Sequence, residues 1–166
     1  MWIELIGSIH LFFSTLGSFY GILFPKTWFD KVFMLYVLFL LFSWTMFNGE
    51  CLVSYVFKKM DQSNYIAGED SHDMKDMYIM FKSETTVRTI ATINTLAHML
   101  TEYIVFYRNQ FPLFICYLVP AIHLFYNFCI YNLKDIYKNN TFLIIQDILR
   151  VIIILLILYY LRRLYK

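Results

Sequence analysis

Five long apolar stretches constrain this chain more than any other feature of its sequence. They run from about 3 to 24, 32 to 57, 87 to 107, 111 to 133 and 142 to 161. A helix needs about 20 mostly apolar residues to cross the hydrocarbon core of a bilayer. The sequence therefore predicts one all-α transmembrane domain, a helical bundle of five spans over residues 1–166. Four spans are the alternative, because the third stretch is the least hydrophobic.

The composition indicates that the solvent of this fold is lipid. Hydrophobic residues make up 60% of the 166 residues and charged residues only 16%. A soluble domain of this size buries too little of its surface to hide that apolar fraction. The net charge of +2 supplies no basic surface for a nucleic acid. We therefore expect a multi-pass protein whose main partner is the bilayer, although the sequence does not indicate which membrane.

The only long polar segment is the loop 58–86, between the second and third stretches. The other connections are a few residues long, so consecutive helices are expected to be antiparallel neighbours. Lysine and arginine are spread evenly over the two sides, which leaves the orientation in the membrane unpredicted. The loop 58–86 is the expected docking segment for a protein partner.

Small residues form a seam on the first predicted helix. At 100° per residue they share one face with His10, and small residues of this kind let two helix backbones approach closely in lipid. The sequence therefore predicts helix packing through Gly7, Ser14, Gly17 and Gly21.

Polar and ionisable side chains also fall inside the apolar stretches. A charged group at the centre of a bilayer costs at least about 2.5 kcal/mol, so such groups face the bundle interior and often mark function. His98 and Glu102 are four residues apart and can touch. The predicted polar cluster comprises His10, Glu50, His98, Glu102, His123, Asn127, Asp147 and Arg150.

The positions of these residues along their predicted helices indicate which of them lie at the same depth in the membrane. His98 and His123 both fall near the middle of their helices, so we expect them to face each other or a shared cavity. A buried charge without a partner is costly, so Asp147 and Arg150 are expected inside the bundle, within reach of Glu50 or His10.

Three functions are compatible with these residues. The first is a proton or small-cation pathway, because histidine titrates near neutrality and carboxylates relay protons; the small chain would then form a homo-oligomer. The second is a structural or scaffolding role, for example in a viral or organelle membrane. The third is a haem- or metal-binding redox protein with His10, His98 and His123 as ligands. No nucleophile motif predicts an enzyme or catalytic residues, and the simplest expectation is a protein without a cofactor.

Residues 7–69 contain a loose set of motifs found together elsewhere. The first predicted helix has a His and a Phe early on, His10 and Phe12, and a Gly one or two turns later, Gly17. The second has Trp44 and Cys51 near its end, and a Tyr-x-x-Gly motif, Tyr65 to Gly68, precedes an acidic segment. In these motifs the chain resembles a family of small uncharacterised bacterial membrane proteins of three to four helices. The resemblance implies a membrane topology and no known activity.

Overall fold

The computed structural model describes residues 2–70, 81–132 and 135–165, and these residues form helices and connecting turns without a strand. The helices are α1 (Trp2–Leu23), α2 (Phe29–Met46), α3 (Leu52–Asp61), α4 (Glu84–Arg108), α5 (Leu113–Asn132) and α6 (Asn140–Leu164), with a 3₁₀ turn at Ile136–Lys138. The all-α prediction is confirmed for these residues.

Three of the described helices are long and apolar enough to cross a membrane. They are α2, the segment Leu113–Ile130 of α5, and α6. A helical bundle with three candidate spans is therefore supported by length and composition, and the five spans predicted from the sequence are not. The α4 helix departs most from the prediction, because threonine, asparagine, histidine and glutamate interrupt its apolar sequence.

The second predicted helix, 32–57, is wrong as a continuous helix. The α2 helix ends at Met46, and α3 begins only at Leu52. Between them Asn48 and Gly49 adopt left-handed backbone angles, with φ of 50° and 87°. Asparagine and glycine tolerate this conformation best, so the pair ends the helix although the surrounding residues are apolar.

The predicted loop 58–86 is partly helical. The α3 helix extends to Asp61, and α4 begins at Glu84, where the Ser83 side chain accepts a hydrogen bond from the Thr86 amide. Residues 62–70 pack against the turn that precedes α3, because Asn48 donates to the Ala67 carbonyl at 2.8 Å. Residues 71–80 of this loop lie outside the described residues.

The α4 helix packs along α1 on one side and along α5 on the other, while α2 packs along α6 and also contacts α4 and α5. The fully buried apolar residues that join α2, α4, α5 and α6 include Val37, Leu41, Val105, Val119 and Ile153. Large apolar side chains point outward from the bundle, among them Phe12, Phe13, Phe114, Phe128 and Leu155. An apolar exterior around an apolar core is what a lipid solvent permits.

The predicted seam on α1 is the face that α4 covers. Gly21 is buried where Thr101 of α4 approaches, and the Thr101 hydroxyl donates to the Ser18 carbonyl at 2.7 Å. Gly7 is buried, Ser14 and Gly17 are half-buried, and the Ser14 carbonyl accepts from the Ser18 hydroxyl. Hydrogen bonds between small residues thus accompany the close approach of the two backbones.

Candidate functional site

Two histidines and one glutamate meet in the middle of the bundle. The α4 helix places His98 and Glu102 one turn apart, and α5 brings His123 to the same level. Glu102 Oε1 lies 2.7 Å from His123 Nδ1 and 3.4 Å from His98 Nε2. The two imidazole rings are 4.9 Å apart between centroids. Their exposed fractions are only 5% for each histidine and 0% for Glu102, so the group, here called the central triad, is closed to bulk solvent.

The contacts of His98 fit the tautomer with the proton on Nδ1. The Ser18 hydroxyl donates to the Ser14 carbonyl at 2.7 Å, so its oxygen can accept from His98 Nδ1–H, 3.4 Å away. In this tautomer His98 Nε2 presents a lone pair, and it forms no hydrogen bond within the described residues. That lone pair points toward a carboxylate oxygen, an arrangement that a cation between the two atoms would stabilise.

Glu102 is also incompletely satisfied. Its Oε1 accepts from His123 Nδ1–H, while Oε2 is buried and has no hydrogen-bond partner in the described part of the chain. A buried carboxylate oxygen without a donor is costly, since the group has lost its water. The central triad thus contains two buried polar atoms, Glu102 Oε2 and His98 Nε2, that have no hydrogen-bond partner among the described residues.

The central triad has the donor types and spacing of a metal site. One ligand atom from each of its three residues can be chosen so that all three lie within 4.8 Å of one another. Metal–ligand bonds of about 2.0 to 2.2 Å in a tetrahedral site place neighbouring ligand atoms roughly 3.3 to 3.6 Å apart. Two imidazoles and one carboxylate suit zinc or ferrous iron and leave at least one coordination position open.

Aromatic rings and one amide surround the central triad. Trp44 of α2 meets the His123 ring edge-on, with 4.9 Å between centroids, and Phe33 lies 5.8 Å from the His98 ring. The predicted site residue Asn127 lies one turn from His123, donates to its carbonyl at 3.0 Å and accepts from Thr95 at 3.1 Å. Asn127 therefore joins α5 to α4 beside the triad.

Two other predicted members of the polar cluster lie elsewhere. His10 approaches Cys51, with 3.6 Å between Nε2 and Sγ, and so is placed apart from the other two proposed metal ligands. Glu50 is buried against Lys58, 3.0 Å from its ammonium nitrogen, and accepts from the Tyr65 hydroxyl. Burial raises the pKa of Tyr65, and the hydrogen bond to Glu50 raises this pKa further. The phenol therefore stays neutral and acts as a hydrogen-bond donor. Glu50 belongs to the packing of α3 and not to the triad.

The predicted placement of Asp147 inside the bundle is wrong. Its side chain is 69% exposed on the outer face of α6. Arg150 Nη1 lies 2.8 Å from Asp147, and Nη2 donates to the Thr45 carbonyl of α2 at 2.6 Å. The pair therefore neutralises itself at the edge of the bundle, and the expected contact with Glu50 or His10 is replaced by a backbone carbonyl.

Sequence reasoning missed a buried charge network at the opposite end of the bundle. Asp30, at the start of α2, accepts from Arg108 at 2.8 and 2.6 Å, from Asn109 at 2.6 Å and from Tyr20 at 2.7 Å. It also missed Ser18 and Trp44 beside the central triad. Ser18 follows Ser14 by four residues on the predicted seam, which is a signal that could have found it. Asp30 and Arg108 lie at helix ends, where charge is ordinary, so the sequence offers no comparable signal.

The fold and the triad together define a class: a helical bundle with candidate membrane spans and a buried histidine–carboxylate cluster. Comparison with protein-family models, with curated proteins and with solved structures finds no match to the chain. The resemblance over residues 7–69 stays a prediction.

Proposed function

We propose that this protein is a multi-pass membrane protein that binds one divalent transition-metal ion at His98, Glu102 and His123. The single observation behind the proposal is the pair of buried acceptors, Glu102 Oε2 and His98 Nε2, beside a carboxylate already paired with His123. A metal ion satisfies several such acceptors at once, whereas one added proton satisfies one of them. Zinc and ferrous iron fit the two imidazoles and the carboxylate.

Metal binding would use the existing hydrogen bonds as its support. Ser18 accepts from His98 Nδ1–H, which orients the ring and leaves Nε2 for the ion. His123 Nδ1–H now donates to Glu102, so an ion between these two groups requires the other tautomer of His123, with its proton on Nε2. Protons compete with the metal for His98, Glu102 and His123, so affinity for the metal is expected to fall as the pH is lowered.

A continuous proton or cation pathway has less support than the metal site. Such a pathway needs the titratable groups to follow one another through the bundle, but His10 pairs with Cys51, and Asp147 faces outward. One chain supplies all three proposed metal ligands, so the proposal requires no oligomer. A purely structural role would leave the two buried acceptors of the central triad without a compensating partner.

The proposal includes five membrane crossings, with α1 and α4 added to the three candidate spans. At 1.5 Å per residue, α1 with 22 residues and α4 with 25 are each about 33 Å long or more, enough for the hydrocarbon core. Asn94 of α4 donates to Thr15 of α1, and Thr95 donates to Asn127 of α5, so these polar side chains lie inside the bundle. Glu84 and Arg88, in the first turns of α4, are exposed. A helix whose polar groups are paired inside the bundle can cross lipid.

Side-specific labelling in sealed vesicles separates the possible topologies. We expect an N-terminal tag and Asn64→Cys to be accessible from one side and Pro112→Cys from the other, in a background lacking the native cysteines. Three crossings by α2, α5 and α6 would place Asn64 and Pro112 together, opposite the tag. If α1 alone did not cross, the tag and Pro112 would lie on the same side. If α4 alone did not cross, the tag, Asn64 and Pro112 would all lie on one side. Any of these patterns would contradict five crossings.

The metal content of the purified protein tests the site. Protein in mild detergent, incubated with Zn²⁺ or Fe²⁺ and desalted, is expected to retain one ion per chain by elemental analysis. Glu102→Gln and His123→Asn each remove a ligand and should weaken binding by at least about 100-fold. His10→Asn is the matched control and should bind like the wild type, because His10 lies beside Cys51.

Two results would overturn the proposal. One is a wild-type protein that retains no ion although its helical circular dichroism is intact. The other is equal retention by the His10→Asn and His123→Asn variants, which would place any bound metal outside the central triad.

A further inference from the structure

A second group of buried polar atoms lies next to the central triad, between α2, α5 and α6. Four side-chain atoms there are buried and have no hydrogen-bond partner among the described residues: Trp44 Nε1, Tyr126 Oη, Gln146 Oε1 and Arg150 Nε. Trp44, Tyr126 and Gln146 are each more than nine-tenths buried. Native proteins leave few such atoms unsatisfied, so four in one region need an explanation.

The contacts of these residues place them at one junction of the bundle. Trp44 and Tyr126 have ring centroids 5.7 Å apart. Arg150 reaches the carbonyl of Thr45, the residue after Trp44, at 2.6 Å. Gln146 lies one turn before Arg150 on α6 and donates to Asn48 at 3.0 Å. The four residues therefore surround the junction where the end of α2 meets α5 and α6.

The hydrogen-bonding chemistry of the four atoms identifies the ligand. The indole N–H of Trp44 and the Nε–H of Arg150 can only donate, the amide oxygen of Gln146 can only accept, and the Tyr126 hydroxyl can do both. A small ligand that both accepts and donates satisfies this mixture, and water does so with two to four partners per molecule. An anion would leave the Gln146 oxygen unpaired, and a metal cation would be repelled by Arg150.

We propose that Trp44, Tyr126, Gln146 and Arg150 enclose a cluster of buried water between the central triad and the surface of the bundle. At its inner end Trp44 meets the His123 ring at 4.9 Å. At its outer end Arg150 pairs with Asp147, which is exposed. The water satisfies the four polar atoms, and the cluster exists whether or not a metal is bound at the triad.

Hydrogen exchange at the indole of Trp44 tests this inference directly. The protein is labelled with ¹⁵N-tryptophan in detergent micelles, and Trp44→Phe assigns its indole resonance among those of the three tryptophans. We expect the Trp44 indole N–H to exchange magnetisation with water within seconds, although the side chain is buried. A dry core indole would be protected for as long as the buried backbone amides of α5.

Matched tyrosine variants locate the water. Tyr126→Phe removes a hydroxyl that would hold water. Combined with Gln146→Leu, it should slow the hydrogen exchange of the Trp44 indole N–H by about tenfold. Tyr160→Phe is the control, because the Tyr160 hydroxyl already donates to the Lys31 carbonyl at 2.6 Å. Protection of the wild-type Trp44 indole like that of the α5 amides, or equal slowing by Tyr126→Phe and Tyr160→Phe, would overturn the inference. The metal content of the protein does not enter these measurements, so the two proposals can fail separately.

Discussion

Replacing Asp30 with alanine is expected to destabilise the protein more than any other single change at a charged residue. Asp30 has no exposed surface, and its carboxylate accepts four hydrogen bonds, two of them from Arg108. The other two come from Asn109 and Tyr20. Removing one partner of a buried ion pair leaves an uncompensated charge, which typically costs about 3 to 5 kcal/mol.

Thermal and denaturant unfolding in detergent, followed by circular dichroism, measures this loss. Asp147→Asn is the control, because Asp147 pairs with Arg150 while largely exposed and should change stability by only about 0 to 1 kcal/mol. The double variant Asp30→Leu with Arg108→Met should recover part of the loss, since no unpaired charge remains. Equal effects of Asp30→Ala and Asp147→Asn would show that the Asp30 network does not stabilise the fold.

Replacing Gly21 with alanine is expected to separate α1 from α4. A Cβ atom at this position would lie 2.9 Å from the carbonyl oxygen of Thr101 and 2.9 Å from Cγ2 of Val105. The carbonyl belongs to the α4 backbone and cannot rotate away, so the helices must move apart. Overpacking of this kind costs about 1 to 3 kcal/mol, and Gly21→Leu should cost more and lower the yield of folded protein.

Gly17→Ala is the matched control on the same seam. A Cβ there would meet its nearest atoms, from Tyr36 and His98, at 3.9 and 4.0 Å, which is ordinary contact. Alanine is the better helix former by about 0.5 to 1 kcal/mol, so this variant should be as stable as the wild type or slightly more stable. If unfolding in detergent gives the same stability for Gly17→Ala and Gly21→Ala, the close approach at Gly21 has no energetic role.

The helical periodicity of α1 and α4 predicts much of the packing between these helices and part of the central triad. Gly21 falls on a face of small residues, and His98 and Glu102 are one turn apart, so the sequence predicts both the packing face and one contact of the central triad. Equal depth in the bundle also brought His98 and His123 into one expected cluster. Their rings are in fact 4.9 Å apart.

Other features could not be read from periodicity. The turn at Asn48 and Gly49 interrupts an apolar stretch, and only the two left-handed residues reveal it. The partners of Glu50 and Asp30 do not follow from helix spacing: Glu50 precedes α3 and pairs with Lys58 eight residues on, and Arg108 is at the far end of α4. A charge near a helix end is expected to be solvated, so nothing in the sequence distinguishes one that is buried.

The sequence by itself predicted the solvent and determined the faces of the helices. Its apolar fraction predicts lipid around the bundle, and the 3.6-residue period assigns small residues of α1 and several polar residues of α4 to one side of each helix. The tertiary structure decided which polar groups meet. Helix periodicity fixes direction within one helix only, whereas the rotation and offset between helices are set by packing. That packing brings Glu102 between His98 and His123 while leaving Asp147 outside the bundle.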